Sequence, residues 1–437
     1  MTSQKTRSLG VYSGRGLASL VGALGLTALL SAGTATAQTL TIWHDLGDNG
    51  VKMFNELNEV YKKTNPGVTI TSVSYPTDQW FGRVIAAVNT DTAPDLIFNN
   101  YERVIRIQTQ TNKVMDLKDV LKSIPDTKFL ADDDLRVATY RDKVIILPVQ
   151  RVQMAFGARK SWLEKAGEPF PKTWADVLRT ARKFQNDDPD GNGKADTFGF
   201  ALQAAKPRDL IHMLDLFTFG TGLRNTVMND AGKVIITEPR HAEVLREFLK
   251  VFTDYQLVAP DTINHSFTDM YQLIEGGRTG FFRVGDWNVR KWDNEAIKGD
   301  FVTGPWPAFK DGDKNAVLIG GMRGVAVPEN SPNKAAAVNF AKFMLSAEAQ
   351  TVSLKLVGAA VRSDVDTSGL SDRQLAFAKP TYPLIAYDFP ESIHPNYPAV
   401  EAAYHRALLT YIANPPKDFD AFLKKTEADL QVIADKK

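Results

Sequence analysis

The chain has 437 residues, 43% of them apolar, with 52 Lys and Arg against 51 Asp and Glu, a formal charge of +1. This near-neutral balance gives no electrostatic reason to expect nucleic acid or an anionic membrane surface as a partner. The sequence has no cysteine, which excludes a disulfide framework, thiolate zinc sites, a cysteine nucleophile and a lipid-modified N-terminal cysteine. Residues 1–37 read as a secretory leader. Lys5, Arg7 and Arg15 make a positive start, and no acidic residue occurs up to Ala37. Leu17 to Leu30 is an apolar run short for a membrane span, and Ala35-Thr36-Ala37 supplies the small residues a signal peptidase needs. An uncleaved N-terminal anchor is the alternative. Loss of three positive charges with the leader leaves the mature chain near −2. Export without an anchor points to the periplasm. The ~400 mature residues exceed what one hydrophobic core usually holds, so two domains are expected. No Pro/Ser/Gly-rich linker divides them, so short crossings rather than a tether join them.

The mature chain opens on the strand Leu40 to Trp43, followed by a helix with Val51, Phe54, Leu57 and Tyr61 on one face. Asn65-Pro66-Gly67 ends that helix, and Val68 to Val73 reads as the next strand. A helix over roughly Asp78 to Thr90 leads through Ala93-Pro94 into the strand Asp95 to Phe98. Val144 to Pro148 continues the alternation, and Thr173 to Asp176 is a capping box that opens a helix to about Asn186. Glu238 to Tyr255 reads as an amphipathic helix, Thr279 to Val284 as a strand, and Val317 to Val327 as a strand interrupted by glycines. Ala335 to Leu345 is helical, as is most of the chain from Tyr397 onward. The class is α/β, a sheet covered by helices.

The six histidines, at 44, 212, 241, 265, 394 and 405, share no metal-binding helical spacing. No G-x-S-x-G elbow or Walker A loop occurs, and Gly191-Asn192-Gly193-Lys194 is followed by Ala195 where a phosphate loop needs Ser or Thr. Carboxylates are plentiful, but spacing singles out no glycosidase pair. One motif is specific. Asp188, Asp190, Asn192 and Asp196 place side-chain oxygens at positions 1, 3, 5 and 9 of a calcium loop, with Gly193 at the sharp turn and the Lys194 carbonyl at position 7. Position 12 is Gly199, so the usual bidentate glutamate is missing. The alternative is an Asp/Gly-rich turn without metal.

Seven segments in order resemble the family 1 extracellular solute-binding proteins of carbohydrate ABC importers. Thr41-Ile42-Trp43-His44 is similar to the family's first strand, and Ala93-Pro94-Asp95-Leu96-Ile97-Phe98 to its "APD" strand. Trp162 to Gly167 with Pro171 to Trp174 resembles "EKAG…PKTW", and the Asp188 to Gly199 loop recurs in many members. Gly276 to Trp287, Gly320 to Val327 and Ser346 to Gln350 resemble the later "GPW", "GG..GLAI" and "SPEAQ" segments. The resemblance implies a two-lobed periplasmic binding protein fold (type II) with the ligand cleft between lobes and three hinge crossings, expected near Gln150, Lys298 and Leu354. The N-terminal lobe is then 38–150 with 299–353, and the C-terminal lobe 151–298 with 354–437. It also implies a monomer without enzymatic activity, which hands a carbohydrate to the membrane permease subunits of an importer.

The site residues implied by the resemblance are His44 and Asp45 after the first strand, Glu102 and Arg103 at the family's acid–Arg position, and Gln150 and Arg151 at a crossing. Trp287 and Tyr404 fall on its stacking aromatics. Three departures set this chain apart: Asp286 replaces the proline of "GPW", Arg151 and Val152 stand where members carry an acid, and Gly157 to Ser161 replaces "YYNKD". Flat aromatic rings suit the C–H faces of a sugar, and planar multi-donor groups suit its hydroxyls. Arg103, Arg151, Arg283 and Arg323 fall on segments expected near the cleft, which raises an anionic sugar, a uronate or a sugar phosphate, beside the favoured neutral one. Glu102, Asp45 and Asp286 are the acids available to neutralise them internally. A secreted polysaccharide-active enzyme and a calcium-dependent adhesion module are the competing classes.

Overall fold

Alternate burial of Leu40, Ile42 and His44 marks the first strand, β1 (Gln38–His44). The structure is a computed structural model that describes residues 38–223, 225–310, 312–313, 317–381, 384–386 and 394–436, and the leader expected over 1–37 lies outside them. Helix Gly47–Lys62 follows β1 and returns the chain to β2 (Val68–Ser74), parallel to β1. Of its predicted apolar face, Phe54, Leu57 and Tyr61 are buried and Val51 is half-buried, with Phe54 edge-on to Phe98 at 5.6 Å. Tyr61 packs on Phe340 and Phe343 of helix Lys334–Phe343. Burial of each such side chain stabilises the fold by about 1.5–3 kcal/mol.

The remaining strands are β3 (Leu96–Asn100), β4 (Thr139–Tyr140), β5 (Lys143–Val144), β6 (Leu147–Ala158), β7 (Phe198–Phe200), β8 (Thr279–Gly285), β9 (Val302–Gly304), β10 (Val317–Ala326) and β11 (Leu384–Ala386). All but the β4–β5 pair join one hydrogen-bonded network in the order β2-β1-β3-β10-β6-β8-β7, with β11 beside β10 and β9 beside β6. The β1–β2, β1–β3 and β7–β8 pairs are parallel; β10 is antiparallel to both β3 and β6. The twelve residues of β6 are buried along almost their whole length. Its first part pairs with β10 and its last part with β8 and β9, so β6 and β10 carry the backbone from one side of the molecule to the other.

On the second side Phe156 sits in an aromatic core with Phe170, Phe200, Phe281 and Trp306, ring centres 5.2–6.0 Å apart. Helix Trp174–Asn186 covers it and starts at the expected capping box: Asp176 N–H donates to Thr173 Oγ1 (3.2 Å), and Thr173 N–H to Asp176 Oδ2 (3.1 Å). The helix expected over Glu238 to Tyr255 stops at Lys250, where Tyr255 N–H folds back on the Lys250 carbonyl at 2.7 Å.

β10 is irregular, as its glycines predicted. Register shifts fall between Ile319 and Met322 and between Arg323 and Gly324. A Cβ on Gly324 would stand 2.1 Å from the Leu147 carbonyl oxygen, and Gly321 takes a φ of +108°, so both positions require glycine. The chain was expected to return to the first side near Lys298. Instead Val302–Gly304 still pairs with Phe156–Ala158, Ala308 pairs with Thr173, and Trp306 Nε1 donates to the Met154 carbonyl at 3.2 Å. β10 then reaches β3 through Arg323–Ala326. Near the third expected crossing, Val361 N–H donates to the Val149 carbonyl at 3.1 Å, just beyond helix Ala347–Val357.

Candidate functional site

In open α/β sheets, ligands bind outside the carboxyl ends of the parallel strands. Here those ends gather polar side chains from both sides. β1 delivers His44 and then Asp45; β3 delivers Asn99 and Asn100, followed at once by helix Tyr101–Thr111. β7 runs into Gln203, and β8 brings Arg283 before helix Asp286–Asn294. β10 sets Arg323 opposite Asn100 in register, and Arg323 Nε donates to Asn100 Oδ1 at 2.7 Å. The same guanidinium lies 5.7 Å from the centre of the Trp287 ring, a contact that joins the two sides.

Helix Pro207–Phe219 contributes a second charged group. Arg208 reaches Asp215 at 3.2 Å and Glu401, on helix Tyr397–Ala413, at 3.8 Å. Burial pushes Asp215 up to about 7, against the opposing charge of Arg208. Burial also pushes the Tyr101 hydroxyl well above the usual phenol value; Glu102 adds to this, while Arg208 and Arg136 oppose it. Tyr101 and Glu102 on one side thus share an electrostatic environment with Arg208 and Asp215 on the other.

Several buried polar atoms at these strand ends make no hydrogen bond within the protein: Asn99 Nδ2, the Tyr101 hydroxyl, Glu102 Oε2, Gln153 Oε1, Gln203 Oε1, and Nε and Nη2 of Arg283. Each such group costs about 1–3 kcal/mol if left unmet. The set mixes donors and acceptors, as a molecule with many hydroxyls demands. Aromatic surface adjoins it in partly buried Trp287 and in Phe267, which is 45% exposed.

The expected residues divide. Glu102 and Arg103 do not pair: Glu102 Oε1 accepts from Asn100 Nδ2 at 3.1 Å, and Arg103 holds Asp45 at 2.8 Å. Both still border the site, as do Trp287 and Arg323. His44 is fully buried against Phe54, with Nδ1 accepting from Leu46 N–H at 3.1 Å. Burial lowers its pKa to about 4 in spite of Asp45, so the ring is neutral. Gln150 is buried and donates to Ser353 Oγ at 2.8 Å, a contact internal to the crossing. Arg151 spends its guanidinium on Asp134 and on the Val361 and Phe129 carbonyls. Tyr404 is 1% exposed within the core. His44, Gln150 and Arg151 thus have partners inside the protein, and Tyr404 is packed in the core. The sequence reading missed Gln203, Arg208, Asp215, Phe267 and Glu401. One signal was available: Arg208, Asp209, His212 and Asp215 interrupt an otherwise apolar helix.

The Asp188–Asp196 loop lies between helix Trp174–Asn186 and β7. Asp188 Oδ1 and Oδ2 accept from the backbone N–H groups of Asn192 (3.1 Å) and Gly193 (3.0 Å). The Asn192 amide donates to Asp190 Oδ2 at 2.7 Å and to Asp196 Oδ1 at 3.2 Å, and Asn192 Oδ1 accepts from Lys194 N–H at 2.8 Å. The three carboxylates converge on Asn192, whose side-chain amide nitrogen meets Asp190 and Asp196 and whose backbone N–H meets Asp188. Among the described residues, no three acidic or histidine side chains are gathered tightly enough to hold a metal in this arrangement. Burial, a hydrogen bond shared with Asp188 and the neighbouring charges of Asp188 and Asp196 raise the pKa of Asp190.

Residues 45–351 match the family of bacterial extracellular solute-binding proteins. The chain belongs to that family. Among relatives, the fructooligosaccharide ABC transporter substrate-binding protein FusA of Streptococcus pneumoniae is 25% identical over 251 residues, 54% of this chain and 45% of FusA. Lipoprotein LipO of Bacillus subtilis is 32% identical over 149 residues, 32% of this chain and 24% of LipO. The match thus spans less than half the length of either relative. Among solved structures, an ABC transporter solute-binding protein of Thermotoga lettingae bound with α-D-tagatose superposes with a TM-score of 0.75 at 18% identity, over 91% of this chain and 100% of that one. Maltose-bound MalE3 of T. maritima gives 0.71 at 18% identity, over 91% and 100%. The extracellular solute-binding protein described here has their fold, two α/β lobes.

Proposed function

We propose that this solute-binding protein captures a carbohydrate in the cleft and delivers it to the permease subunits of an ABC importer. The observation that carries this reading is the group of unmet donors and acceptors at the strand ends, flanked by Trp287 and Phe267. The names of FusA and of the sugar-bound structures support a saccharide. Calorimetry against a panel of mono- and oligosaccharides tests it: one should bind stoichiometrically, without turnover. Trp287→Ala should then weaken binding by at least ~1 kcal/mol through loss of a large aromatic surface. Steady release of reducing ends from a bound glycan would favour a polysaccharide-active enzyme instead.

The proposed lobes are 38–150 with the far part of β10 up to helix Ala347–Val357, and the remainder, hinged through β6, β10 and the segment near Gly358. No helix of the described residues is long and apolar enough to cross a membrane. We infer a periplasmic monomer whose leader is cut after Ala37; sequencing of the exported protein should begin at Gln38, and an intact Met1 in membranes would refute this. For the Asp188 loop we propose a calcium site formed by Asp188, Asp190, Asn192, Asp196 and the Lys194 carbonyl once the Asn192 amide turns its oxygen inward.

A further inference from the structure

The arginines near the cleft differ in what they have left to offer. Arg103 is held by Asp45 at 2.8 Å, Arg151 by Asp134 and two carbonyls, and Arg323 by Asn100 at 2.7 Å. Arg283 is different. It is 4% exposed at the carboxyl end of β8, where Nη1 touches Met154 Sδ at 3.4 Å and the guanidinium lies 5.0 Å from the centre of the Phe267 ring. Nε and Nη2 make no hydrogen bond within the protein. Neighbouring acids do not neutralise the group by contact. Asp209 feels its charge without forming an ion pair with it, and Asp215 and Glu401 are turned toward Arg208. The Tyr271 hydroxyl, which donates to Asn288 Oδ1 at 2.8 Å, also accepts a hydrogen bond from the Arg283 guanidinium but carries no charge to balance it.

Nε and Nη2 form the edge of a guanidinium that presents two parallel N–H groups, the geometry that meets a planar carboxylate in bidentate fashion. A neutral hydroxyl would satisfy one N–H and leave a buried cation without a counter-charge, an arrangement that is costly in a dry site. The apolar flank of Met154 and the exposed ring of Phe267 give the rest of a sugar something to pack on. We propose that the solute is a carboxylate-bearing saccharide, a uronic acid or an oligosaccharide containing one, with its carboxylate on the Nε–Nη2 edge of Arg283. This rests on the saccharide reading above and names its substrate class.

Calorimetry on the mature protein separates the cases, with glucuronic and galacturonic acids and their disaccharides, the matching neutral sugars, and hexose 6-phosphates, at low and high salt. The uronates should bind at least about tenfold more tightly than their neutral counterparts. R283Q should erase that ratio while its ligand-free melting temperature stays near that of the parent. R283K, which keeps the charge but lacks the fork, should retain a salt-sensitive remnant of it and guards against misfolding of R283Q. Neutral sugars that bind as tightly as uronates would overturn the proposal and leave the saccharide receptor standing. A preference for the phosphates would overturn the carboxylate. Failure of all three classes to bind would sink both readings.

Discussion

A carboxyl group at the end of β8 sits in an environment that opposes its charge. Asp286 is 4% exposed, and its Oδ2 accepts from the Gln153 backbone N–H at 3.0 Å. Burial pushes its pKa up to about 8, although Gln153 and the charge of Arg323 both favour the ionised form. In the unfolded chain the group titrates near 4. Between those values the folded protein holds a proton that the unfolded chain has released, so stability contributed by this group is lost as pH rises toward 8. Asp286→Asn keeps an oxygen for the Gln153 N–H and removes the titration. Its stability between pH 5 and 9, measured in urea, should decline less steeply than that of the parent. Asp215, pushed up to about 7, keeps some slope in both proteins; equal slopes would refute the assignment to Asp286. At this scale the sequence was a partial guide. Trp287 was legible because a glycine and a strand end precede it. Arg283 was not, because alternation along β8 cannot be phased without knowing which face Phe281 fills. Tyr404 was legible only as an inward aromatic: a helix pattern does not show whether inward means core or cleft.

Local chemistry explains why elements were easier to read than side chains. The Thr173–Asp176 box and the apolar stripe of Phe54, Leu57 and Tyr61 act over one or two turns, within reach of a sequence window. The glycines of β10 announced a broken strand, but the Leu147 carbonyl that makes Gly324 obligatory lies on a partner remote in sequence. The Asp188 loop belongs to this scale too. With Asn192 N–H groups serving Asp188, Asp190 and Asp196, the loop is closed by its own hydrogen bonds at the expense of three neighbouring negative charges. A cation that binds only the folded form raises stability by RT ln(1 + [L]/Kd). Millimolar calcium should therefore raise the melting temperature of chelator-treated protein, and Asp190→Ala should abolish the rise. If calcium and chelator give superimposable melting curves, the loop is a hydrogen-bonded turn and no more.

At the scale of the molecule, β6 and β10 carry the architecture. The family resemblance made the two lobes legible from sequence, whereas composition does not reveal that β9 pairs back onto Phe156–Ala158. That pairing leaves β6 and β10 as a shared spine, with register shifts at Ile319/Met322 and Arg323/Gly324 beside the cleft. A bulge interrupts the ladder and lets a strand bend there. Hinge closure is the known habit of periplasmic binding proteins, and a ligand drives it only by binding the closed form better than the open one. The candidate site meets that condition, because Asn99, Tyr101 and Glu102 stand on one side and Gln203, Arg283 and Trp287 on the other. A solute that spans both sets should reduce the radius of gyration in small-angle scattering. It should also raise the melting temperature, with about 2.7 kcal/mol of added stability at a hundredfold excess over Kd. Trp287→Ala should need more solute to reach the same compact state. Tight binding with an unchanged radius would mean that one lobe holds the solute alone, and the cross-lobe assignment of the site would fall.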